Sequence, residues 1–226
     1  MGEAKKLIVK PISASDANRI IRQLHYSGKV ANNSQVHLGV FYEGRCGGAM
    51  QFGPSLDKRK LIGLVEGTKW NEFIELNRMA FADWLPRNGE SRCIAFAMRW
   101  LKKTYPWLKW VVSFADGTQC GDGTIYRASG FVLTGIKENN EIRQFPDGLI
   151  YAESSFMDGA KGGGKLKRKY GFIEGEGHSR FVRRIGAVKL SGFQLRYIYF
   201  LDPSARERLT VPILPFSEID RRGAGM

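Results

Sequence analysis

Cysteine and histidine are scarce in this chain of 226 residues, which contains three of each. The cysteines are odd in number and far apart in the sequence: Cys46, Cys93 and Cys120. This pattern argues against a disulfide framework and shows no metal-knuckle spacing. The histidines and carboxylates also show no recognisable ligand spacing, so the sequence indicates no metal site. We expect the cysteines to be buried thiols.

Long apolar runs are also missing. No stretch is long enough to span a bilayer, and the first residues do not resemble a signal peptide, so we expect a cytoplasmic protein without a membrane partner. The hydrophobic fraction of 43% is sufficient for a full core, and the aromatic fraction of 12% argues against disorder. The sequence predicts one domain over 1–226, with a basic loop at 158–170 and a C-terminal extension at 202–226.

Acidic residues are outnumbered, since 22 Asp and Glu face 35 Lys and Arg, and the net charge is +13. This excess favours a polyanionic partner, and nucleic acid explains the basic clusters better than solubility does. Two clusters supply the candidate DNA contacts: Lys58, Arg59, Lys60, Lys161, Lys165, Lys167, Arg168 and Lys169. For the second cluster, a disordered basic linker is the alternative interpretation.

The centre of the chain, residues 91–131, predicts a helix, a strand and a short helix. Apolar residues recur at helical spacing after Ser91, and Pro106 ends that helix. The apolar run Trp110–Phe114 is typical of a strand that is buried on both faces. Ile125–Ser129 predicts a short helix that Gly130 closes.

Further strands are predicted on both sides of this unit. They cover Leu7–Ile12, Val36–Tyr42, Cys46–Phe52, Phe73–Phe81 and Phe193–Leu201, and a helix follows the first of them. This order suits an α/β fold, a three-layer mixed sheet with helices on both faces. In Phe73–Phe81, simple alternation places Arg78 beside Ile74 and Leu76, and Glu75 on the opposite face.

This order of elements resembles the fold of the GCN5-related N-acyltransferases. In that family a short helix after the splayed strand carries a tyrosine and ends in a glycine-aromatic pair, as Tyr126 and Gly130-Phe131 do here. The resemblance implies that Tyr126 is a general acid, and a phenol that keeps its proton near neutral pH suits that role. The alternative is a tyrosine that merely packs against Phe131.

A narrower resemblance rests on separated segments that occur in the right order. They are residues 25–29 (HYSGK), 75–79 (ELNRM), 88–91 (NGES) and 113–116 (SFAD), followed by Tyr126 and the tail 197–215. These segments resemble the Mom family of Mu-like phages. Members convert adenine in phage DNA to N6-carbamoylmethyl (acetamido) adenine, which protects the DNA from host restriction. The resemblance implies activity for His25, Tyr26, Arg78, Ser91 and Tyr126, and Asp116 is added by its position.

Each candidate also has a role that follows from its own chemistry. His25 titrates near neutral pH and is a natural base. A buried arginine such as Arg78 needs an anion, and Asp116 at the end of the neighbouring strand is its predicted partner. Ser91 lies at a helix amino end, where it is either an N-cap or part of an oxyanion site.

The sequence indicates the donor of the transferred group less clearly than it indicates the acceptor, which is adenine in DNA. The turn 87–92 (RNGESR) departs from the acyl-CoA signature of the fold, and Glu90 places a negative charge at the pyrophosphate position. We therefore expect glycyl-tRNA or another glycyl or acyl donor, rather than acetyl-CoA. The candidate donor contacts are Asn77, Asn88, Gly89 and Arg92.

The predicted acceptor is double-stranded or locally opened DNA, with its target adenine flipped out of the stack. Tyr26, Trp70 or Trp84 is a candidate to stack on that base. Two other functions stay open at this point. One is an acetyl-CoA-dependent N-acetyltransferase that acts on a small amine or a protein, and the other is a non-enzymatic basic DNA-binding protein.

Overall fold

A computed structural model describes residues 2–119, 121–139, 142–152 and 167–224. Its strands are β1 (Ile8–Pro11), β2 (Val36–Tyr42), β3 (Arg45–Gly53), β4 (Phe73–Phe81), β5 (Trp110–Asp116), β6 (Val132–Glu138), β7 (Ile142–Gln144), β8 (Ile150–Ala152), β9 (Val188–Lys189) and β10 (Phe193–Phe200). Its α-helices are α1 (Ala14–Leu24), α2 (Lys58–Ile62), α3 (Gly89–Thr104), α4 (Thr124–Ala128), α5 (His178–Arg184), α6 (Ser204–Glu207) and α7 (Ser217–Arg221). A 3-10 helix at Glu3–Lys6 precedes β1.

Seven strands form the main sheet in the order β1-β2-β3-β4-β5-β10-β6. Neighbours are antiparallel except for β4 and β5, which are parallel. The apolar side of α3 packs on one face through residues such as Ile94 and Met98, and α1 packs on the other through Ile20 and Ile21. We call these the α3 face and the α1 face. The predicted three-layer mixed α/β fold is therefore confirmed.

A β-bulge in β4 corrects the predicted side-chain alternation. Gln51 of β3 pairs with Arg78 and Phe52 pairs with Leu76, so Asn77 is an extra residue between them. An extra residue reverses the alternation beyond it. Ile74 and Leu76 belong to the core of the α3 face, whereas Ala80 packs with α1. The prediction that Arg78 shares a face with Ile74 and Leu76 is thus wrong.

The two parallel strands separate after a short paired region. β4 and β5 pair over Phe73–Glu75 and Trp110–Val112. Further along, β4 pairs with β3 as far as Phe81, and β5 pairs with β10 as far as Asp116. The carboxyl halves of these strands therefore border a V-shaped gap, which we call the strand gap.

A second sheet, in the order β8-β7-β9, was not predicted. Its strands have two or three residues each, too few to show a periodic pattern. A small core around Phe145, Phe181 and Val182 supports it. The short helix α2, which begins at Lys58, is another element that was not predicted.

The C-terminal extension packs on the main body. The backbone N–H of Leu214 donates to the carbonyl of Leu133 at 2.9 Å, and Ile219 and Ala224 join the core of the α3 face. Of the predicted basic loop, 158–166 lie outside the described residues, and so do Lys161, Lys165 and Cys120.

Gly123 precedes α4 and offers a test of how this helix is held. Its φ is +77°, and an added Cβ would lie 2.6 Å from the ring of Tyr197. Gly121 has φ +88° with nothing within 4 Å of such a Cβ, so it isolates the backbone effect. We expect Gly123→Ala to lower the free energy of unfolding by about 3 kcal/mol, and Gly121→Ala by about 1 kcal/mol. Urea denaturation measures both, and equal losses would contradict the clash with Tyr197.

Candidate active site

Ser113 and Tyr126 lie where the strand gap begins. Ser113 Oγ is 3.3 Å from the carbonyl oxygen of Leu76 on the opposite strand and 2.9 Å from the hydroxyl oxygen of Tyr126. Tyr126 is only 7% exposed, and its ring lies 5.4 Å from Phe131 and 5.2 Å from Tyr197 between centroids. The ring therefore packs in the core, as the alternative interpretation expects, while the hydroxyl lies at the gap.

On the α1 face, the gap opens into a cavity of about 560 Å³, which we call the gap cavity. Its wall includes Tyr26 after α1, Arg78 on β4 and Asp116 at the end of β5. Residues of β8 close the opposite side. Three of the predicted catalytic residues, which are far apart in the sequence, thus line one cavity.

Arg78 is held by backbone carbonyls. Its Nε donates to Lys29 O at 3.1 Å and its Nη1 donates to Asn77 O at 2.6 Å. The predicted ion pair with Asp116 is not formed between these two described residues. The Asp116 carboxylate instead accepts the Thr118 N–H at 3.0 Å and the Gln119 side-chain amide at 3.0 Å. Carbonyls leave the guanidinium charge intact, so Arg78 can also bind an anionic or carbonyl oxygen in the cavity.

Simple alternation predicts that Glu75 and Arg78 lie on opposite faces of β4, and this prediction is wrong. Because of the bulge at Asn77, Glu75 and Arg78 lie on the same face of β4. Burial raises the pKa of Glu75, and the nearby Ser55, Asn77 and Arg78 partly oppose this rise. A half-buried carboxyl of raised pKa on the same face of β4 as Arg78 is a candidate proton carrier that the sequence pattern alone does not indicate.

His25 follows the last residue of α1. Its ring stacks on Tyr26, with centroids 4.3 Å apart, and its Nδ1 accepts the backbone N–H of Ser27 at 3.2 Å. Burial, and then the positive charge of Arg78, lower its pKa from 6.5 to about 4. The predicted near-neutral titration is therefore wrong. With Nδ1 as an acceptor, the neutral ring carries its proton on Nε2 and can donate a hydrogen bond there.

The lowered pKa of His25 predicts how the stability of the folded protein depends on pH. The unfolded chain protonates His25 near pH 6.5, whereas the folded protein keeps it neutral down to about pH 4. The unfolded state therefore binds the extra proton in this window, and stability falls as the pH falls through it. We expect a loss of about 1 kcal/mol from His25, after allowing for solvent screening.

Urea denaturation between pH 4 and 7 measures this loss. His25→Gln should reduce the slope of the free energy of unfolding against pH. His37, whose pKa burial also lowers, accounts for part of what remains, so His37→Gln is the matched control. Equal slopes in the wild type and His25→Gln would contradict the shift.

The amino end of α3 lies across the sheet from the gap cavity. Asn88 is the N-cap, with φ 63°, and the helix begins at Gly89. Ser91 is therefore not the N-cap, because it lies in the first turn, where its hydroxyl donates to Asn88 O at 3.3 Å. The first-turn N–H groups of a helix lack helical partners and attract anions. Gly89, Ser91 and Arg92 lie in this turn, where the backbone N–H of Gly89 donates to Pro86 O at 2.9 Å and that of Arg92 donates to Asn88 O at 3.4 Å.

Asn77 has a different setting from the other predicted donor contacts. Its side-chain oxygen accepts the Ser34 hydroxyl at 3.0 Å, and its amide nitrogen lies 3.4 Å from Pro54 O. The side chain therefore fastens the loop before β2 to the bulge.

The predicted DNA contacts that the structure describes are in two places. Lys58 of α2 lies over the rings of Trp70 and Phe73, and Lys60 pairs with Asp57 at 2.6 Å. In the second cluster, Lys169 pairs with Asp147 at 2.5 Å and Lys167 lies over Phe172. Arg59 lies between Lys58 and Lys60 in the sequence, and Arg168 lies between Lys167 and Lys169. Both clusters thus combine lysines with aromatic rings, and none of these lysines lines the gap cavity.

These features define an α/β protein of acyltransferase type, with a two-sided site at the strand gap. The Mom protein family matches residues 6–218, and the chain belongs to that family. The chain is 36% identical over 211 residues to the methylcarbamoylase Mom of Escherichia phage Mu, covering 93% of this chain and 82% of that protein. The predicted family is confirmed, and with it the prediction of a transferase enzyme.

Solved structures with similar folds share about a tenth of their sequence with this chain. Spermidine/spermine N-acetyltransferase SpeG from Vibrio cholerae has a TM-score of 0.48 and 10% identity, covering 91% of this chain and 98% of its own. The ribosomal-protein-S18-alanine N-acetyltransferase from Escherichia coli has a TM-score of 0.46 and 10% identity, covering 87% and 94%. Separately, no helix among the described residues is long and apolar enough to cross a membrane.

Proposed function

We propose that this protein modifies adenine in DNA to N6-carbamoylmethyl adenine and thereby protects the DNA from restriction. The observation that carries the proposal is the strand gap, which has the gap cavity on one face of the sheet and the helix α3 on the other. Two reactants can therefore approach from opposite sides and meet beside Tyr126. Family membership supplies the reaction class.

The acceptor side suits an extruded base. Tyr26 is 51% exposed, its ring stacks on His25, and it lines the gap cavity, where an aromatic ring is the kind of group that stacks on a base. Arg78 and Asp116 offer a donor and an acceptor at the same cavity wall. A flipped adenine presents both kinds of group on its edge, which matches this pairing.

The donor side suits an activated glycyl group. We infer glycyl-tRNA or a related glycyl ester as the donor, held at the first turn of α3 by Gly89, Ser91 and Arg92. In the first step the adenine N6 attacks the ester carbonyl, the ribose oxygen leaves, and Tyr126 gives that oxygen its proton. The N6 proton passes to Asp116 or to Glu75. A neutral His25 donates a hydrogen bond from Nε2 and does not remove this proton.

This step yields an N6-glycyl amide, which is an isomer of the carbamoylmethyl product. The glycyl amine then attacks C6 through a five-membered spiro intermediate, and the bond between C6 and the original N6 breaks. The original N6 becomes the carboxamide nitrogen, so no oxidant or further reactant is needed. DNA labelled with nitrogen-15 at the exocyclic amine tests this step. Label that stays on the purine would exclude the rearrangement.

The function itself is tested in a bacterial host that expresses the chain. Plasmid DNA is digested to nucleosides and analysed by mass spectrometry. We expect a new adenosine heavier by one carbamoylmethyl group, in amounts that depend on the residues of the gap cavity. Unmodified adenosine from a soluble, folded protein would refute the proposal. Acetyl-adenosine, or a melting temperature raised by acetyl-CoA, would favour an ordinary acetyltransferase instead.

A further inference from the structure

A second and larger cavity of about 960 Å³ lies at the amino ends of β4 and β5, away from the gap cavity. We call it the aromatic cleft, and its wall includes Lys58, Lys69, Trp70, Phe73, Tyr105 and Trp107. None of the predicted catalytic residues lines it. Trp70 and Trp107 are each 53% exposed, although tryptophan is normally well buried. Exposed aromatic rings around a concave surface indicate a binding site.

Three of the four rings in the wall of the cleft, those of Phe73, Tyr105 and Trp107, pack against another aromatic ring. Phe73 stacks on the buried Trp110 with centroids 4.3 Å apart and planes 4° apart. Tyr105 meets Trp107 edge-on at 5.5 Å. The Lys58 ammonium lies 5.0 Å from the ring centres of both Trp70 and Phe73. Rigid aromatic platforms with lysines beside them are how proteins hold single-stranded nucleic acid, since every base can stack and every linkage carries a charge.

Charge favours the same ligand. Lys58 and Lys69 line the cleft, and Arg59 lies next to Lys58 on α2. The acidic member of the wall, Glu72, accepts the backbone N–H of Lys69 at 2.9 Å and serves the turn before β4. The chain as a whole has a net charge of +13. A polyanion with flat bases therefore fits better than an apolar peptide.

The cleft and the gap cavity are connected along β4. Phe73 and Arg78 lie on the same face of this strand because of the bulge, and they are about 15 Å apart along it. The loop that carries Tyr26 and Lys29 in the gap cavity continues to Gln35 in the wall of the cleft. A strand whose adenine enters the gap cavity can thus reach the cleft within a few nucleotides.

We propose that the aromatic cleft binds single-stranded DNA beside the flipped adenine, with bases stacked on Trp70 and Trp107 and phosphates near Lys58 and Lys69. The proposal rests on the proposed function in naming the strand as DNA. Such a site would hold the opened strand and so favour extrusion of the target base.

Fluorescence anisotropy with labelled oligo(dT) tests the site without filling the adenine cavity. We expect Trp70→Ala and Trp107→Ala each to weaken binding about tenfold, and Phe at the same positions to restore most of it. Phe96→Ala is the matched control. Phe96 is an exposed aromatic residue on α3, outside the cleft, so its loss should leave binding within about twofold.

The salt dependence gives a second readout. Lys58→Ala with Lys69→Ala should lower the slope of log K against log salt by about 1.4, since each phosphate contact on a single strand contributes about 0.7. Unchanged oligo(dT) binding in the tryptophan variants, or clear preference for oligo(U), would overturn the proposal. If the wild type modifies no adenine yet binds oligo(dT) through these tryptophans, the cleft stands and the proposed function fails.

Discussion

Replacing Tyr126 by phenylalanine should reduce adenine modification by about a hundredfold or more, which is the contribution of a well-placed general acid. The variant removes one oxygen at the strand gap. The ring keeps its contacts with Phe131 and Tyr197, and Ser113 keeps its bond to Leu76 O. We therefore expect stability to fall by only about 1 kcal/mol, the typical value of one hydrogen bond.

The measurement is the rate at which modified adenosine accumulates per molecule of enzyme, followed by mass spectrometry. Tyr199→Phe is the matched control, because Tyr199 also packs on Phe131, with ring centroids 5.3 Å apart, but belongs to β10. Its activity should equal that of the wild type. Activity within about tenfold of the wild type in Tyr126→Phe would show that the hydroxyl is not the acid.

Adenine modification should be as sensitive to replacement of Arg78 as to replacement of Tyr126. We expect Arg78→Ala to reduce modification by about a hundredfold or more, because a fixed cation at the gap cavity is lost. Arg78→Lys should recover little of it, since an ammonium cannot donate to Lys29 O and Asn77 O in the same fork. Arg99, an exposed arginine on α3, gives the matched control Arg99→Ala with unchanged activity.

The same variant has a readout that is independent of activity. The charge of Arg78 helps to hold the pKa of His25 at about 4. Arg78→Ala should therefore raise the pKa of His25, whereas Arg78→Lys should leave it low. Nuclear magnetic resonance of the imidazole follows this titration directly. A His25 pKa that is identical in Arg78→Ala and the wild type would place Arg78 further from the imidazole than the structure has it.

Most of the main sheet follows from local patterns. The limits of β4 are predicted at both ends, Phe73 and Phe81, because an apolar run between polar turns marks them. The bulge at Asn77 escapes prediction because apolar residues on both faces satisfy either alternation. That single extra residue decides which face carries Arg78, and so the error passes from the fold to the site.

In the site, too, the features that depend on short sequence motifs are predicted, and those that depend on packing between distant segments are not. The family resemblance selects Tyr26 and Arg78, and Asp116 is added by its position in the sequence; the structure places all three at one cavity. The pKa of His25 and the relation of Glu75 to Arg78 depend on packing between distant segments, which a sequence pattern does not contain. The aromatic cleft is missed for the same reason, because Trp70 and Trp107 come from separate loops.

The separation of β4 from β5 also has a consequence for the order in which the chain folds. Strands β1 to β4 pair with close neighbours in sequence, whereas β5 depends along most of its length on β10, about 80 residues later. During synthesis, the first half of the sheet can therefore form while the far wall of the gap is still missing. We therefore expect the strand gap to be complete only when Phe193–Phe200 has been made, so that unfinished chains carry only half of the proposed site.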